Sequence, residues 1–160
     1  MAIFNKKRDT SSSPENQDFY HPVLTEANNS FDKGEYENAF INYQEALIVM
    51  NSYNYCGYEQ YLAIKRLIVL SFQLGKNEEA YKCVALLLMT EEAKKNICYC
   101  LFDIAKIAYE ANVPDFARGL IKAVYQTSDG SYFAESDLKK YLEYAGIHDE
   151  RTFENYSEDY

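Results

Sequence analysis

No proline interrupts the chain between Pro22 and Pro114, and along this stretch the apolar residues recur at intervals of three and four positions. This interval is typical of α-helices, whereas strands alternate with a period of two. One stripe of this kind consists of Phe40, Tyr43, Ala46, Leu47 and Met50. The pattern therefore predicts an all-α chain, and no segment of the sequence predicts a β-strand.

Signals for helix starts divide this stretch and its flanks into about seven helices. Pro22 and Pro114 suit the first turn of a helix, where the missing N–H costs nothing. Asn77 and Thr90 each precede two glutamates, as N-cap residues do. Helices are therefore predicted at about 22–33, 36–52, 59–74, 78–89, 91–111, 114–127 and 134–145.

Residues that tolerate a left-handed backbone follow three of the predicted helices, at Gly34, Gly75 and Asn112. A left-handed residue in this position is a common way to end a helix. Gly119 differs because it falls inside a predicted helix, where glycine costs about 1 kcal/mol relative to alanine. We therefore expect Gly119 to mark the close approach of a neighbouring helix.

One residue pattern occurs three times in register. Its copies are Gly34-x-Tyr36-x-x-Ala39-x-x-x-Tyr43-x-x-Ala46-Leu47, Gly75-x-Asn77-x-x-Ala80-x-x-x-Val84-x-x-Leu87-Leu88 and Asn112-x-Pro114-x-x-Ala117-x-x-x-Ile121-x-x-Val124-Tyr125. Seven positions before each turn residue lies a further small or apolar residue, namely Ala27, Ile68 and Ala105. Each copy predicts two antiparallel helices joined by a tight turn. The two backbones are expected to come closest at the small residues Ala39, Ala80 and Ala117, with further helix contacts at Ala27, Ile68 and Ala105. Such hairpins cannot bury their apolar faces alone, so they are expected to stack.

This pattern resembles the tetratricopeptide repeat family. The first copy, EANNSFDKGEYENAFINYQEALIVMN, is close to the family pattern of a small residue, an aromatic, Gly-x-Tyr, Ala, an aromatic and Ala-Leu. The second copy keeps Gly75 and Ala80, and the third keeps Ala105, Tyr109 and Ala117. The resemblance covers about residues 20–127. It implies an α-solenoid of stacked antiparallel hairpins, with the helix at 134–145 as its cap.

The repeats are longer than the family's usual length of roughly 34 residues. The extra residues are expected chiefly around 54–60, between the first two hairpins. The predicted organisation is thus a flexible tail over 1–19, one helical domain over 20–147 and an acidic flexible tail over 148–160.

The resemblance implies a concave groove, lined by the first helix of each hairpin, that binds an extended or helical segment of another protein. By register the groove is lined by Leu24, Asn28, Lys65, Arg66, Val69, Tyr99, Phe102 and Lys106, with Phe31 and Asp103 beside them. Apolar anchors and three cations suit a peptide that contains apolar residues and an acid. The alternative is that these are ordinary solvated helix positions.

Different subfamilies of tetratricopeptide proteins bind different partners. One binds the C-terminal carboxylates of heat-shock chaperones through lysine, asparagine and arginine, but of that set this chain keeps only Asn28 and has Asp103 where a cation is required. That clamp is therefore excluded. Small bacterial tetratricopeptide chaperones are similar in length, acidity and architecture, so a chaperone that keeps an aggregation-prone client soluble is the alternative function, with a homodimer through the N-terminal helix as one option. A structural protein that self-associates through exposed tyrosine and phenylalanine faces is a third.

Charge and hydropathy exclude other classes of partner. The chain has 16 Lys and Arg against 25 Asp and Glu, a net charge of −9, which is the wrong sign for tracking nucleic-acid phosphates. No apolar run has the length of a signal peptide or a membrane span. Four cysteines are too few for a secreted disulfide scaffold, so we expect reduced thiols and a cytoplasmic location.

Catalytic chemistry has no support in the sequence. The two histidines, His21 and His148, stand near opposite ends of the chain, and no glycine-rich phosphate loop is present. Cys98 and Cys100 are two residues apart in a predicted helix, which turns them to different faces, so they are expected to be core residues rather than a metal or redox pair. The sequence therefore predicts a protein that is not an enzyme and holds no cofactor or metal.

Overall fold

The computed structural model describes residues 20–128 and 135–148, and within these ranges all regular structure is helical. The described helices are α1 (His21–Asp32), α2 (Tyr36–Ser52), α3 (Tyr58–Gln73), α4 (Asn77–Leu88), α5 (Glu91–Lys95), α6 (Ile97–Glu110), α7 (Pro114–Ser128) and α8 (Glu135–Ala145). The predicted all-α class is confirmed. The predicted tails lie outside the described residues, apart from His148.

The single helix predicted over 91–111 is wrong, because Asn96 separates α5 from α6. The backbone of Asn96 is extended, with φ −149° and ψ 82°. Asparagine is a weak helix former whose side chain competes for backbone hydrogen bonds. By packing, the chain divides at this residue into two compact units, the first ending at Asn96 and the second beginning at Ile97.

The first unit contains α1 to α5. Each of α1 to α4 packs against the next helix in sequence, and α5 packs against both α3 and α4. The predicted contact residues Ala27, Ala39, Ile68 and Ala80 are completely buried. The longest connection in this unit is 53–57, between α2 and α3, which is where the sequence predicts the extra residues of the repeat.

The second unit contains α6, α7 and α8. Helix α7 packs against both of the others, and the predicted contact residues Ala105 and Ala117 are completely buried. The core of this unit comprises Phe102, Ala105, Ile121, Val124, Tyr141, Leu142 and Ala145. In both units consecutive helices thus form packed hairpins, the arrangement of a helical-repeat fold.

The turn inside each hairpin repeats one hydrogen-bond pattern. Gly34, Gly75 and Asn112 have φ values of +76°, +71° and +58°. In each turn this residue donates to the carbonyl three positions earlier, and the next residue donates to the carbonyl five positions before itself, at 2.7–3.1 Å. This is the Schellman motif, and it satisfies carbonyls left over at the helix end. Asn54 and Gly146 end α2 and α8 in the same way.

Two predictions about single residues are wrong and one is confirmed. A Cβ added to Gly119 would meet nothing within 4 Å, so none of the described helices approaches closely there. Asn77 is the first helical residue of α4 and not its N-cap, which is Lys76 and makes no side-chain capping bond. Thr90 does cap α5, since its Oγ1 accepts from the N–H of Ala93 at 3.2 Å.

Candidate functional site

The residues predicted to line the groove in the first unit lie on α1 and α3, and all of them are half-buried. They are Leu24 and Asn28 on α1, and Lys65, Arg66 and Val69 on α3. The structure brings two of them into direct contact, because Arg66 Nη1 donates to Asn28 Oδ1 at 3.1 Å. The predicted faces of the two helices are therefore adjacent, although 38 positions separate these residues in the sequence.

Tyr43 of α2 completes a three-helix network with these two residues. Its hydroxyl accepts from Arg66 Nη1 at 2.8 Å and donates to Asn28 Oδ1. The guanidinium carbon of Arg66 also lies 4.6 Å from the ring centroid of Phe31, within the range of a cation–π contact. We call Asn28, Phe31, Tyr43 and Arg66 the α1–α3 network.

The charge of the α1–α3 network is positive. Both hydrogen bonds of Arg66 within the described residues use Nη1, so the donors on Nε and Nη2 make no hydrogen bond there. No ion pair within the described part of the chain includes Arg66. An arginine held in one orientation, with a free edge of its planar group, suits a carboxylate ligand.

Tyr43 stays a phenol in this setting. Burial raises its pKa above the ordinary value, and the hydrogen bond from Arg66 opposes that rise without cancelling it. The side chain is completely buried, so its hydroxyl needs partners within the protein. The protonated hydroxyl can donate to Asn28 while accepting from Arg66, which orients both side chains.

The repeat pattern predicts Tyr43 as a contact between paired helices and does not connect it with the groove. A tyrosine on the buried stripe of α2 was nevertheless a usable signal, because a buried hydroxyl normally meets a polar partner. Phe31 was placed beside the groove by register, and its half-buried ring lies against Arg66 as that placement requires.

In the second unit the structure contradicts part of the predicted groove. Phe102 is only 6% exposed and meets Tyr141 of α8 edge to face, with the ring centroids 5.3 Å apart. Asp103 is also buried, and its Oδ1 lies 3.3 Å from Lys106 Nζ. Phe102 is therefore a core residue, because it packs against Tyr141 of α8 within the hydrophobic cluster of this unit.

Lys106 and Tyr99 remain at the surface of the second unit. Lys106 is half-buried, and its ammonium lies 4.8 Å from the ring centroid of Phe102 as well as beside Asp103. Tyr99 is 49% exposed. The charge of Lys106 is thus already matched within its own helix, which leaves Arg66 as the better candidate for meeting a partner's carboxylate.

No other chemistry is assembled among the described residues. No group of three histidine, cysteine or acidic side chains there could hold a metal ion. The four cysteines are free thiols, with Cys98 half-buried and Cys100 buried. Burial raises the pKa of Cys83 to about 11, and Glu79 adds to the shift, so this thiol is unreactive near neutral pH. None of the helices in the described ranges combines the length and hydrophobicity needed to cross a bilayer.

Comparison with known proteins found no matching family model, no matching curated protein and no matching solved structure. The tetratricopeptide resemblance thus stays a prediction from the repeated sequence pattern. The structure adds the all-α class and the hairpin packing.

Proposed function

We propose that the chain is a tetratricopeptide-like interaction module that binds a segment of another protein on the α1–α3 face. The observation that supports the proposal is the α1–α3 network. In it Asn28 and Arg66, which are predicted for the same groove and are far apart in the sequence, are hydrogen-bonded to each other. The proposal includes no catalysis and no cofactor. It places the module in the cytoplasm, where its free thiols stay reduced.

The chemistry of the network supports a partner segment that carries an acidic group beside apolar residues. Arg66 offers the Nε and Nη2 donors to a carboxylate, and Lys65 immediately precedes it in the sequence and adds a second positive charge. Leu24 and Val69 are half-buried and leave apolar surface for the neighbouring residues of the segment. Because Asn28 and Tyr43 already hold Arg66, little side-chain entropy is lost on binding.

Selection from a random peptide library on the folded protein tests this proposal. We expect the enriched peptides to contain aspartate or glutamate next to apolar residues, and Lys65→Glu to weaken their binding about tenfold or more. The matched control is Lys122→Glu, which makes the same charge change at an exposed position of α7 in the other unit. Circular dichroism checks that both variants stay helical. Enriched peptides without acids, or equal binding by both variants, contradicts the proposal.

A chaperone for an aggregation-prone client is the second candidate. It is supported by large apolar side chains that are more than half exposed, namely Ile41, Ile48, Tyr58 and Met89. Such a chaperone should keep an unfolded reporter protein soluble at equimolar concentration, whereas an adaptor should have no effect. Light scattering from the aggregating reporter distinguishes the two functions.

A further inference from the structure

The solvent-facing side of α2 carries two isoleucines at its centre. Ile41 is 51% exposed and Ile48 is 69% exposed. They are seven residues apart, which is two helical turns and about 10 Å along the axis, so both side chains lie on one face. The opposite side of α2 carries Ala39 and Ala46, which are completely buried. Helix α2 is thus apolar on two sides, and the described residues of its unit cover only one of them.

This exposed stripe brings no benefit to the isolated unit. Isoleucine is a weaker helix former than leucine, glutamate or lysine, and a solvent-exposed side chain gains little from burial. Single exposed apolar residues are ordinary on protein surfaces. Two of them at heptad spacing form a seam that a second helix can cover, as in coiled coils.

The charges beside the stripe define what could cover it. Glu37 precedes Ile41 by one turn, and Glu45 lies between the two isoleucines, four residues after the first and three before the second. Both glutamates are exposed, and α2 contains no lysine or arginine. The stripe is therefore apolar with a negative border.

We propose that this face of α2 docks an amphipathic helix of another protein, whose apolar seam is bordered by lysine or arginine. Cations on that helix would pair with Glu37 and Glu45, while its apolar residues cover Ile41 and Ile48. A second copy of this chain fits less well, because pairing α2 with α2 brings like charges together and supplies no cation. An anionic lipid surface is repelled by the negative charges of Glu37 and Glu45.

This docking face is separate from the α1–α3 network. Tyr43 is the one residue of α2 in that network, and it lies on the buried side of the helix. Neither proposal depends on the other, and a variant in one face should leave the other unchanged. The chain can then hold an acidic segment and a basic helix at different places.

Fluorescence anisotropy with two synthetic peptides tests the proposal. Both are about 20 residues long, enough to form a helix, with leucines at heptad spacing. One has lysine at the bordering positions and the other has glutamate there. We expect the lysine peptide to bind, and the double variant Ile41→Ser with Ile48→Ser to bind it at least about tenfold more weakly although its net charge is unchanged. The glutamate peptide should bind neither protein.

Two further variants make the result specific. Reversing the border with Glu37→Lys and Glu45→Lys should exchange the preference, so that the glutamate peptide now binds. The control Ile97→Ser, at a 40% exposed isoleucine of the other unit, should bind the lysine peptide as the parent does. Equal binding of the lysine peptide to the parent and the double variant overturns the proposal. So does an absence of binding, or a concentration-dependent dimer of the parent that the double variant loses.

Discussion

Replacing Tyr43 by phenylalanine deletes a single hydroxyl group and keeps the ring. That hydroxyl accepts from Arg66 Nη1 at 2.8 Å and donates to Asn28 Oδ1. The bond between Arg66 and Asn28, at 3.1 Å, then remains between α1 and α3, but neither side chain is hydrogen-bonded to α2 any longer. We expect the variant to fold and to lose stability chiefly in α1, α2 and α3.

The size of the loss follows from the two bonds. A hydrogen bond to a charged group contributes about 1.5–3 kcal/mol, and one between neutral groups about 0.5–1.5 kcal/mol. Arg66 is only half-buried, so water replaces part of what its donor loses. The expected destabilisation is therefore about 2 kcal/mol. Since 1.4 kcal/mol corresponds to a factor of ten, local opening becomes about 30-fold more frequent.

Hydrogen exchange read by mass spectrometry measures this opening segment by segment. The slowest amides of α1, α2 and α3 should exchange about 30-fold faster in the variant, while those of α6 and α7 should not change. Tyr58→Phe is the matched control, because it deletes the same group from a side chain that is 58% exposed. Its effect should stay below about 0.5 kcal/mol. Equal protection in the two variants refutes a role for the Tyr43 hydroxyl.

The same variant changes the response of stability to alkaline pH. In the unfolded chain a tyrosine ionises near pH 10, and burial raises the pKa of Tyr43 in the folded protein. The folded state therefore favours the protonated phenol, and this contribution is fully present below pH 10 and lost as the pH rises through the folded pKa. Tyr43→Phe should flatten the fall in unfolding free energy above pH 10. An unchanged slope contradicts the assigned pKa direction.

Further predictions concern glycines, a cap and thiols. Gly119→Ala should stabilise the protein by up to about 1 kcal/mol, because the added Cβ meets open space in α7. Gly34→Ala should instead destabilise it by about 1–2 kcal/mol, because the backbone there is left-handed, with φ +76°. Shifts of the melting temperature in the same direction contradict this contrast. Thr90→Ala should cost about 1 kcal/mol in urea unfolding through loss of the α5 cap, and no change in midpoint contradicts a capping role. A thiol reagent at pH 7.5 should modify exposed Cys56 first and buried Cys83 only on unfolding. Modification of Cys83 in the folded protein, identified by mass spectrometry, refutes this order.

The helices and turns were predictable because they depend on neighbours in the sequence. A helix of period 3.6 shows its apolar stripe within a dozen residues, and a left-handed Gly34 or Gly75 needs no distant partner. Two local predictions were wrong because the signals that decide them are weak in the sequence. Asn96 breaks a pattern that otherwise runs on, and Asn77 is one position away from the cap that its side chain suggests.

The candidate site was only partly predictable. Register placed Asn28 and Arg66 on facing helices, and the structure joins them. The same register placed Phe102 in the groove, although it is a core residue beside Tyr141. The repeat pattern describes one hairpin and its neighbours in general terms, so it could not predict that Tyr141 of the last helix packs against Phe102.

The sequence by itself determined the all-α class, the positions of the hairpin turns and the small residues where paired helices touch. Each of these depends on the spacing of nearby residues and on the backbone preference of single residues. Only the tertiary structure decided that Tyr43 joins Asn28 to Arg66, that α8 buries Phe102, and that Ile41 and Ile48 face solvent. These three facts depend on which helix faces pack against each other. The apolar period of a helix records that a face is to be buried, and the packing of whole helices decides what lies against it.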